Sequence, residues 1–399
     1  MALPVTYNVR NVFVRWRTTS FTVLGVTLVV AVFVLLQSMA AGIDKSKSQT
    51  GDIRNVMIVR KGSTAESSSQ VTREQFKLIP YMPEIAKDEQ GRPLVSGDVI
   101  VLISLPRRDG KGEANVVLRG ISPVGMQLRP QAKLVEGQGP DGAHVPSRWF
   151  TPGKRELVVS SRMAGRFANF DIGQSFRTSG ENLTVTGWFD GGGSAFDSEI
   201  WMDADEARSV FDRENYSSVL VRVADGASAS SLTNRVEADK RLTLRAEPEV
   251  AYYEAQTQSA GFFAFLGYFL AVAMSIGAVF AAMNTMYASV GARTREIGTL
   301  RVLGYRRRSI LLSFIVEGAF LALIGGVLGC AVAWALHLYF GTIGTMSFES
   351  FSEMMFRFRI TPMLVVKGLI FSVIVGIFGS LLPAIRASRL PVIAALKAV

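Results

Sequence analysis

The sequence predicts a membrane protein with four transmembrane α-helices, arranged one plus three. A large α+β extracytoplasmic domain is inserted between helices 1 and 2. Three observations carry this prediction. Residues 21–39, 255–292, 318–336 and 368–385 contain no charged side chain, and a helix of about 20 apolar residues crosses a bilayer core. Basic residues crowd into the short segments outside these stretches. Residues 43–254 are instead balanced in charge, with 28 basic and 29 acidic residues, and hold several β-rich runs.

The leader 1–19 carries Arg10, Arg15 and Arg17 and no acid. A signal peptide also joins basic residues to an apolar stretch. Here the leader is long, the run 20–42 is of full membrane length, and no small-x-small site follows, so it reads as an uncleaved anchor. The domain 43–258 opens with candidate strands at 55–59, 98–104 and 114–121, the last two joined through the turn-like RRDGKGE as a hairpin. Further strands are expected at 157–160, 175–177, 183–189 and 219–223. Asp203 opens a helix, DADEARSVF, whose early acids suit a helix N-terminus. A second helix is expected over 227–240, and GSTAESSSQ at 62–70 reads as a flexible loop.

Segment 259–290 forms the second membrane helix with a stalk. Residues 255–292 as one helix would measure about 57 Å, well beyond a core of about 30 Å. The cytoplasmic segment 291–308 follows, then the third helix 309–340. A short extracytoplasmic loop at 341–361, the fourth helix 362–383 and a tail 384–399 with Arg386, Arg389 and Lys397 complete the chain. Leader, segment 291–310 and tail together carry a net charge of +11. Short Arg-rich segments stay in the cytoplasm, so both termini are expected there and the domain outside. The formal net charge of +10 therefore marks one side of a membrane and not a nucleic-acid surface.

Little in the domain suggests chemistry. It has no cysteine, the chain's one thiol being Cys330 in the third helix, and its one histidine is His144, which excludes a His-rich zinc cluster. Gly191, Gly192, Gly193 and Ser194 lack the lysine and spacing of a phosphate loop and read as a turn. Asp203 and Asp205 are accounted for by helix capping. No G-x-x-x-x-G-K-[ST] motif occurs. The chain reads as a non-enzyme without catalytic residues, metal or cofactor of its own.

The most informative stretch is GARTREIGTLRVLGYRRRSI, 291–310, with six arginines and one glutamate. Fixing topology is its simplest role. Ile297, Leu300, Val302 and Leu303 add an apolar face beside Arg293, Arg295 and Arg301, and Gly304 is a helix stop. A short amphipathic helix of this kind suits docking of a partner, with Glu296, Ile297 and Leu300 expected at the contact. In the third helix, Gly318, Ala322, Gly325, Gly326, Gly329 and Ala333 place small residues along one side, for close packing within the chain or for a dimer seam. Glu317 and Lys367 lie near helix ends and are expected to snorkel.

Arg293, Arg295, Glu296, Ile297, Gly298, Leu300, Arg301, Leu303 and Gly304 spell Arg-x-Arg-Glu-Ile-Gly-x-Leu-Arg-x-Leu-Gly. This resembles the signature of MacB/FtsX-type ABC transporter permeases, the type VII or mechanotransmission class. The likeness continues through Glu317, Gly325, Gly326 and Gly329, and through Pro383, Ala384, Ala387, Arg389, Pro391 and Leu396. VRWRTTSFTVLGV is similar to the start of the family's first helix. ELVVSSRMAGRF, DIGQSF and IWMDADEARSVF are similar to its periplasmic domain.

The resemblance implies a multi-pass permease subunit of the bacterial inner membrane that forms a homodimer or a heterodimer with a related permease. It further implies that 293–304 is a coupling helix seated in a separate ATPase, which carries the ATP and Mg. A periplasmic adaptor is compatible with the family. The substrate would be exported or extracted at the outer face of the membrane. MacB proper carries its ATPase in the same chain, and this sequence departs from that. LolC and LolE share the four-helix layout. The alternative is a membrane-anchored regulator or sensor, with FtsX-like control of cell-wall hydrolases.

Overall fold

A computed structural model of the chain describes residues 16–110, 112–255, 258–340, 342–346 and 352–391. Arg10 and Arg15 of the leader, and Leu396 and Lys397 of the tail, lie outside the described residues. Among the described residues, four helices are long and apolar enough to cross a membrane. They are α1 (Trp16–Ser48), α2 (Gln258–Ala292), α4 (Arg307–Phe340) and α5 (Pro362–Ser388), with the short α3 (Thr294–Val302) between α2 and α4. The chain divides into two compact units. One comprises 1–41, 260–341 and 358–399; the other comprises 42–259 together with 342–357.

In the helical unit, glycine lets backbones meet. A Cβ on Gly318 would lie 2.5 Å from the Ser380 Cβ, and one on Gly326 would lie 2.3 Å from the Ser372 Oγ, both on α5. From the α5 side, a Cβ on Gly376 would sit 2.4 Å from that of Ala322. Gly325 and Gly329 abut α1, at 2.9 Å from the Val23 carbonyl and 2.8 Å from that of Thr27. The Thr27 Oγ1 also donates to the Gly325 carbonyl at 3.2 Å. The small residues therefore serve two faces of α4 and not one side. Ala322 and Ala333 are buried with them. Of the two roles expected for these positions, packing within the chain is the one they take, against α1 and α5, where small residues allow the close approach.

Helix α5 runs through Pro383 to Ser388, past the boundary expected at 383. A proline inside a helix loses one backbone hydrogen bond and here does not end it.

The second unit is the inserted α+β domain. Its strands are β1 (Asn55–Arg60), β2 (Val95–Pro106), β3 (Glu113–Ile121), β4 (Lys133–Val135), β5 (Gly137–Gln138), β6 (His144–Val145), β7 (Glu156–Ser160), β8 (Ser175–Thr178), β9 (Glu181–Asp190), β10 (Glu199–Asp203), β11 (Ser218–Arg222) and β12 (Leu244–Pro248). Apart from β5 and β6, which pair with each other, these form one mixed sheet. Its order is β12, β1, β11, β2, β3, β10, β7, β9, β4, with β8 against β9. The expected hairpin is present as the antiparallel β2 and β3. The expected helix at Asp203 spans Ala204–Val210, with the Asp203 carboxylate accepting from the amides of Asp205 and Glu206.

Strand β2 belongs to both halves of the sheet. Residues Val95 to Asp98 pair with β11, and Val99 to Pro106 pair with β3. One core, with Val56, Ile58, Val219 and Val221, lies under the first half. Another, with Val99, Leu118, Val159 and Ile200, lies under the second. On the opposite face a single aromatic layer, with Met57, Leu220, Phe189 and Trp201, spans both halves. That alternation is what a sheet covered on two faces requires.

The connection between α4 and α5 is more than the short loop expected at 341–361. It forms the hairpin β13 (Thr342–Met346) and β14 (Glu353–Arg357), and it is counted with the inserted domain. β14 runs beside β3 and the turn Ala195–Ser198.

Candidate functional site

Helix α3 is set by its two ends. At its start, Arg293 makes a two-pronged contact with Glu317 of α4, its Nη1 and Nη2 donating to the two carboxylate oxygens at 2.9 and 3.2 Å. Both residues are buried, at 4% and 3% exposure. Planar guanidinium and carboxylate fit edge to edge, which fixes direction as well as distance. Glu317 therefore does not snorkel; it is held inside by the arginine. At the other end Gly304 adopts φ +91°, the left-handed conformation that glycine takes without a Cβ penalty. The Tyr305 amide reaches back to the Leu300 carbonyl, and the Gly304 amide to that of Arg301. This is the Schellman arrangement that closes a helix.

Between these ends the helix has two faces. Ile297 is buried among Met286, Val290, Ile310, Phe314 and Ala384 of the neighbouring helices. Gly298 is buried and Leu300 is half-buried. Arg295, Glu296, Thr299, Val302 and Leu303 are exposed, with Val302 at 62% and Leu303 at 68%. Exposed Arg306, Arg307 and Arg308 follow directly. Arg293, Ile297 and Gly298, expected on the docking surface, thus face the bundle instead. Amphipathicity showed that α3 has an apolar face, but its own bundle claims that face first. The apolar pair left outside is Val302 and Leu303, rimmed by arginine.

Residues 19–239 match the MacB-like periplasmic core domain, and residues 268–392 match the FtsX-like permease C-terminal domain. The chain belongs to the MacB/FtsX-type family of ABC transporter permeases. It is 29% identical over 259 residues to "Macrolide export ATP-binding/permease protein MacB" of Hahella chejuensis, covering 60% of this chain and 37% of that protein. It is 28% identical over 264 residues to "Uncharacterized ABC transporter permease YknZ" of Bacillus subtilis, covering 62% of this chain and 63% of the relative. Among solved structures, the periplasmic region of MacB from Actinobacillus actinomycetemcomitans aligns at 12% identity and a TM-score of 0.35. That alignment covers 50% of this chain and 91% of the other.

Within the MacB-like domain, a buried charge network stands at the point where β2 passes from β11 to β3. Arg119 of β3 donates all five of its N–H groups. Glu199 receives two at 2.8 Å, Glu66 two at 2.9 and 3.0 Å, and Asp98 one at 3.1 Å. Arg129 donates to the same Asp98 oxygen at 2.5 Å, and the Phe196 ring lies against both guanidinium groups. Glu66 comes from the segment expected as a flexible loop. It is buried in a short turn, Glu66–Ser68, because the arginine needs it there. Burial opposes ionisation of Glu66, but Arg119 and Ser218 outweigh it and hold its pKa below the ordinary value. Sequence spacing gives no sign of this network; the one hint is a charge inside an apolar run, Asp98 in SGDVIVLI and Arg119 in NVVLRGI.

Glu249 and Tyr253 border the network from the helix Glu249–Ala255, which precedes α2. Among the described residues no group of three or more potential metal ligands comes together. All five N–H groups of Arg119 are engaged, and the network ties β2, β3, β10 and the turn Glu66–Ser68 together.

Proposed function

We propose that this chain is the membrane subunit of an ABC transporter of the inner membrane. It would couple ATP hydrolysis on a separate ATPase to movement of the MacB-like domain, so that a substrate is exported or extracted at the outer face. The observation that carries this reading is the division of labour in α3. Arg293 and Ile297 root the helix in the bundle, while Val302, Leu303 and a run of arginines are left exposed. A rooted helix with an apolar, basic outer face can receive a push from a partner and pass it to α2 and α4. In this reading the permease acts as a dimer, with a copy of itself or a related chain, the ATP and Mg stay on the partner ATPase, and an adaptor joins on the outer side. Few ionisable groups occur along the described parts of the four apolar helices, which offers poor lining for a polar passage. Movement outside the bilayer fits better than passage through it.

The test is the variant Val302→Asp/Leu303→Asp, co-expressed with a candidate partner ATPase that co-purifies with the unaltered chain. Two carboxylates in place of the apolar pair should abolish co-purification of the ATPase, while the permease still inserts and keeps its thermal unfolding profile. Undiminished co-purification would remove α3 as the docking element.

A further inference from the structure

The chain enters the MacB-like domain after α1 and leaves it before α2, and one side chain holds both places together. Glu249, 0% exposed, opens the helix Glu249–Ala255 on the way to α2. Its Oε2 accepts from the Asp52 amide at 2.9 Å and from the Asn55 Nδ2 at 2.8 Å, both just after α1. The backbone comes so close that a Cβ on Gly51 would lie 2.9 Å from the Glu249 Cγ. Gly51 also takes φ +93°, so glycine is favoured there by conformation as well as by space. Asn55 in turn accepts from the Arg222 Nε at 2.6 Å, and Arg222 pairs with Asp52 at 3.3 Å. The segment after α1 is tied down again by Thr50, whose Oγ1 accepts from the Ala195 amide at 2.7 Å.

We infer that Glu249 is a positioning residue for force transmission, a clasp that makes the entry and the exit of the domain move as one piece. This deepens the proposed function and rests on it. Two connections free to slide past each other would absorb a displacement of α1 or α2 locally. Joined through two hydrogen bonds to one carboxylate oxygen, they hand it to the sheet, because Asn55 begins β1 and Glu249 follows β12, the strand beside it. The groups facing Glu249 are Arg129, Glu66, Tyr253, Arg222, Asp52 and Asn55. Its other oxygen, Oε1, has no protein partner among the described residues. The clasp therefore works through Oε2 alone, and an amide oxygen can replace it.

The experiment uses the complete complex with its ATPase and a Cys330→Ser background. One nitroxide is attached through a ketone-bearing residue at exposed position Ser230 of each protomer. Electron–electron distance measurements are compared without nucleotide and with ATP and vanadate. The unaltered clasp should show an ATP-dependent shift of the label distance. Glu249→Ala should lose the shift and Glu249→Gln should keep it, with hydrogen exchange reporting the sheet amides protected in both.

A tether answers the case in which Glu249→Ala unfolds. A sulfur at the Glu249 Cγ position lies about as far from a Cβ at 51 as the ~3 Å separating those atoms across a disulfide. Oxidised Gly51→Cys/Glu249→Cys should therefore show the shift, and Gly51→Ser/Glu249→Ser should not. A shift equal to the unaltered protein in both Glu249→Ala and the double serine variant overturns the clasp and leaves the transport reading standing. No shift in the unaltered complex overturns both.

Discussion

Arg293 and Glu317 form the pair whose removal is easiest to forecast. Taking away one member of a buried ion pair leaves the other charge without compensation, at a cost of about 3–5 kcal/mol. Glu317→Ala should therefore lower the unfolding temperature of the purified permease sharply. Replacing both members by apolar residues, Arg293→Leu/Glu317→Leu, should recover much of the loss, since no charge is then stranded. A double variant as unstable as the single one would mean that the pair fixes geometry and not charge balance. Glu249 gives a second forecast, with the opposite dependence on pH from Glu66. Burial pushes the Glu249 carboxyl above its ordinary value of 4.5, against the pull of Arg129. A carboxyl whose pKa is raised on folding favours the folded state at low pH, and that contribution is lost as pH rises through the folded value. Glu249→Gln should thus gain stability over the parent chain as pH rises above 4.5, and the gain should vanish in acid. Thermal unfolding followed by tryptophan fluorescence across pH reads both.

At the scale of elements, the contrast between α3 and the third membrane helix shows how far sequence reaches. The arginines and Gly304 located α3 and its stop, because charge and a glycine C-cap act locally. Which apolar side chains would face outward was not local, since Ile297 and Val302 look alike in sequence and differ only in what packs nearby. The glycines of α4 were likewise legible as a close-packing surface, but their partners, α1 and α5, were not. In the sheet, RRDGKGE announced its hairpin, whereas β10 and β12 passed unmarked. EIWMD and LRAEP are five residues each; the first is an apolar triplet closed by two acids, and the second alternates for only four residues before a proline. The network at Arg119 draws on residues far apart in sequence, so only the folded sheet assembles it.

The α4 glycines yield a test of their own. Gly326→Leu places a branched side chain where a Cβ alone would stand 2.3 Å from Ser372, and overpacking of this kind costs about 1–3 kcal/mol or more. Gly277 on α2, which has nothing within 4 Å of a built Cβ, should accept the same change with little loss of unfolding temperature.

For the molecule as a whole, the distribution of arginine makes a statement about sidedness. Thr64 and Ser230 are both exposed and suit single cysteines. In a Cys330→Ser background both should react with a membrane-impermeant maleimide applied outside intact spheroplasts. A cysteine at Thr299 should react only after the membrane is opened. Labelling of Thr299 from outside would invert the orientation and with it the docking role of α3.

The hairpin between α4 and α5 has a consequence for how the protein is made. β13 and β14 are part of the same compact unit as residues 42–259, yet the ribosome reaches Arg357 only after the second and third membrane helices. At about 5–20 residues per second, the roughly hundred intervening residues take on the order of 5–20 s. Throughout that interval the hairpin that will pack beside β3 is not yet made, and Ile100, Leu102 and Val117, which line a cleft with Ser352 of the hairpin, are without it. Biogenesis of this permease therefore has a built-in order. Most of the domain precedes the two helices in the chain, and its last piece is synthesised only after them.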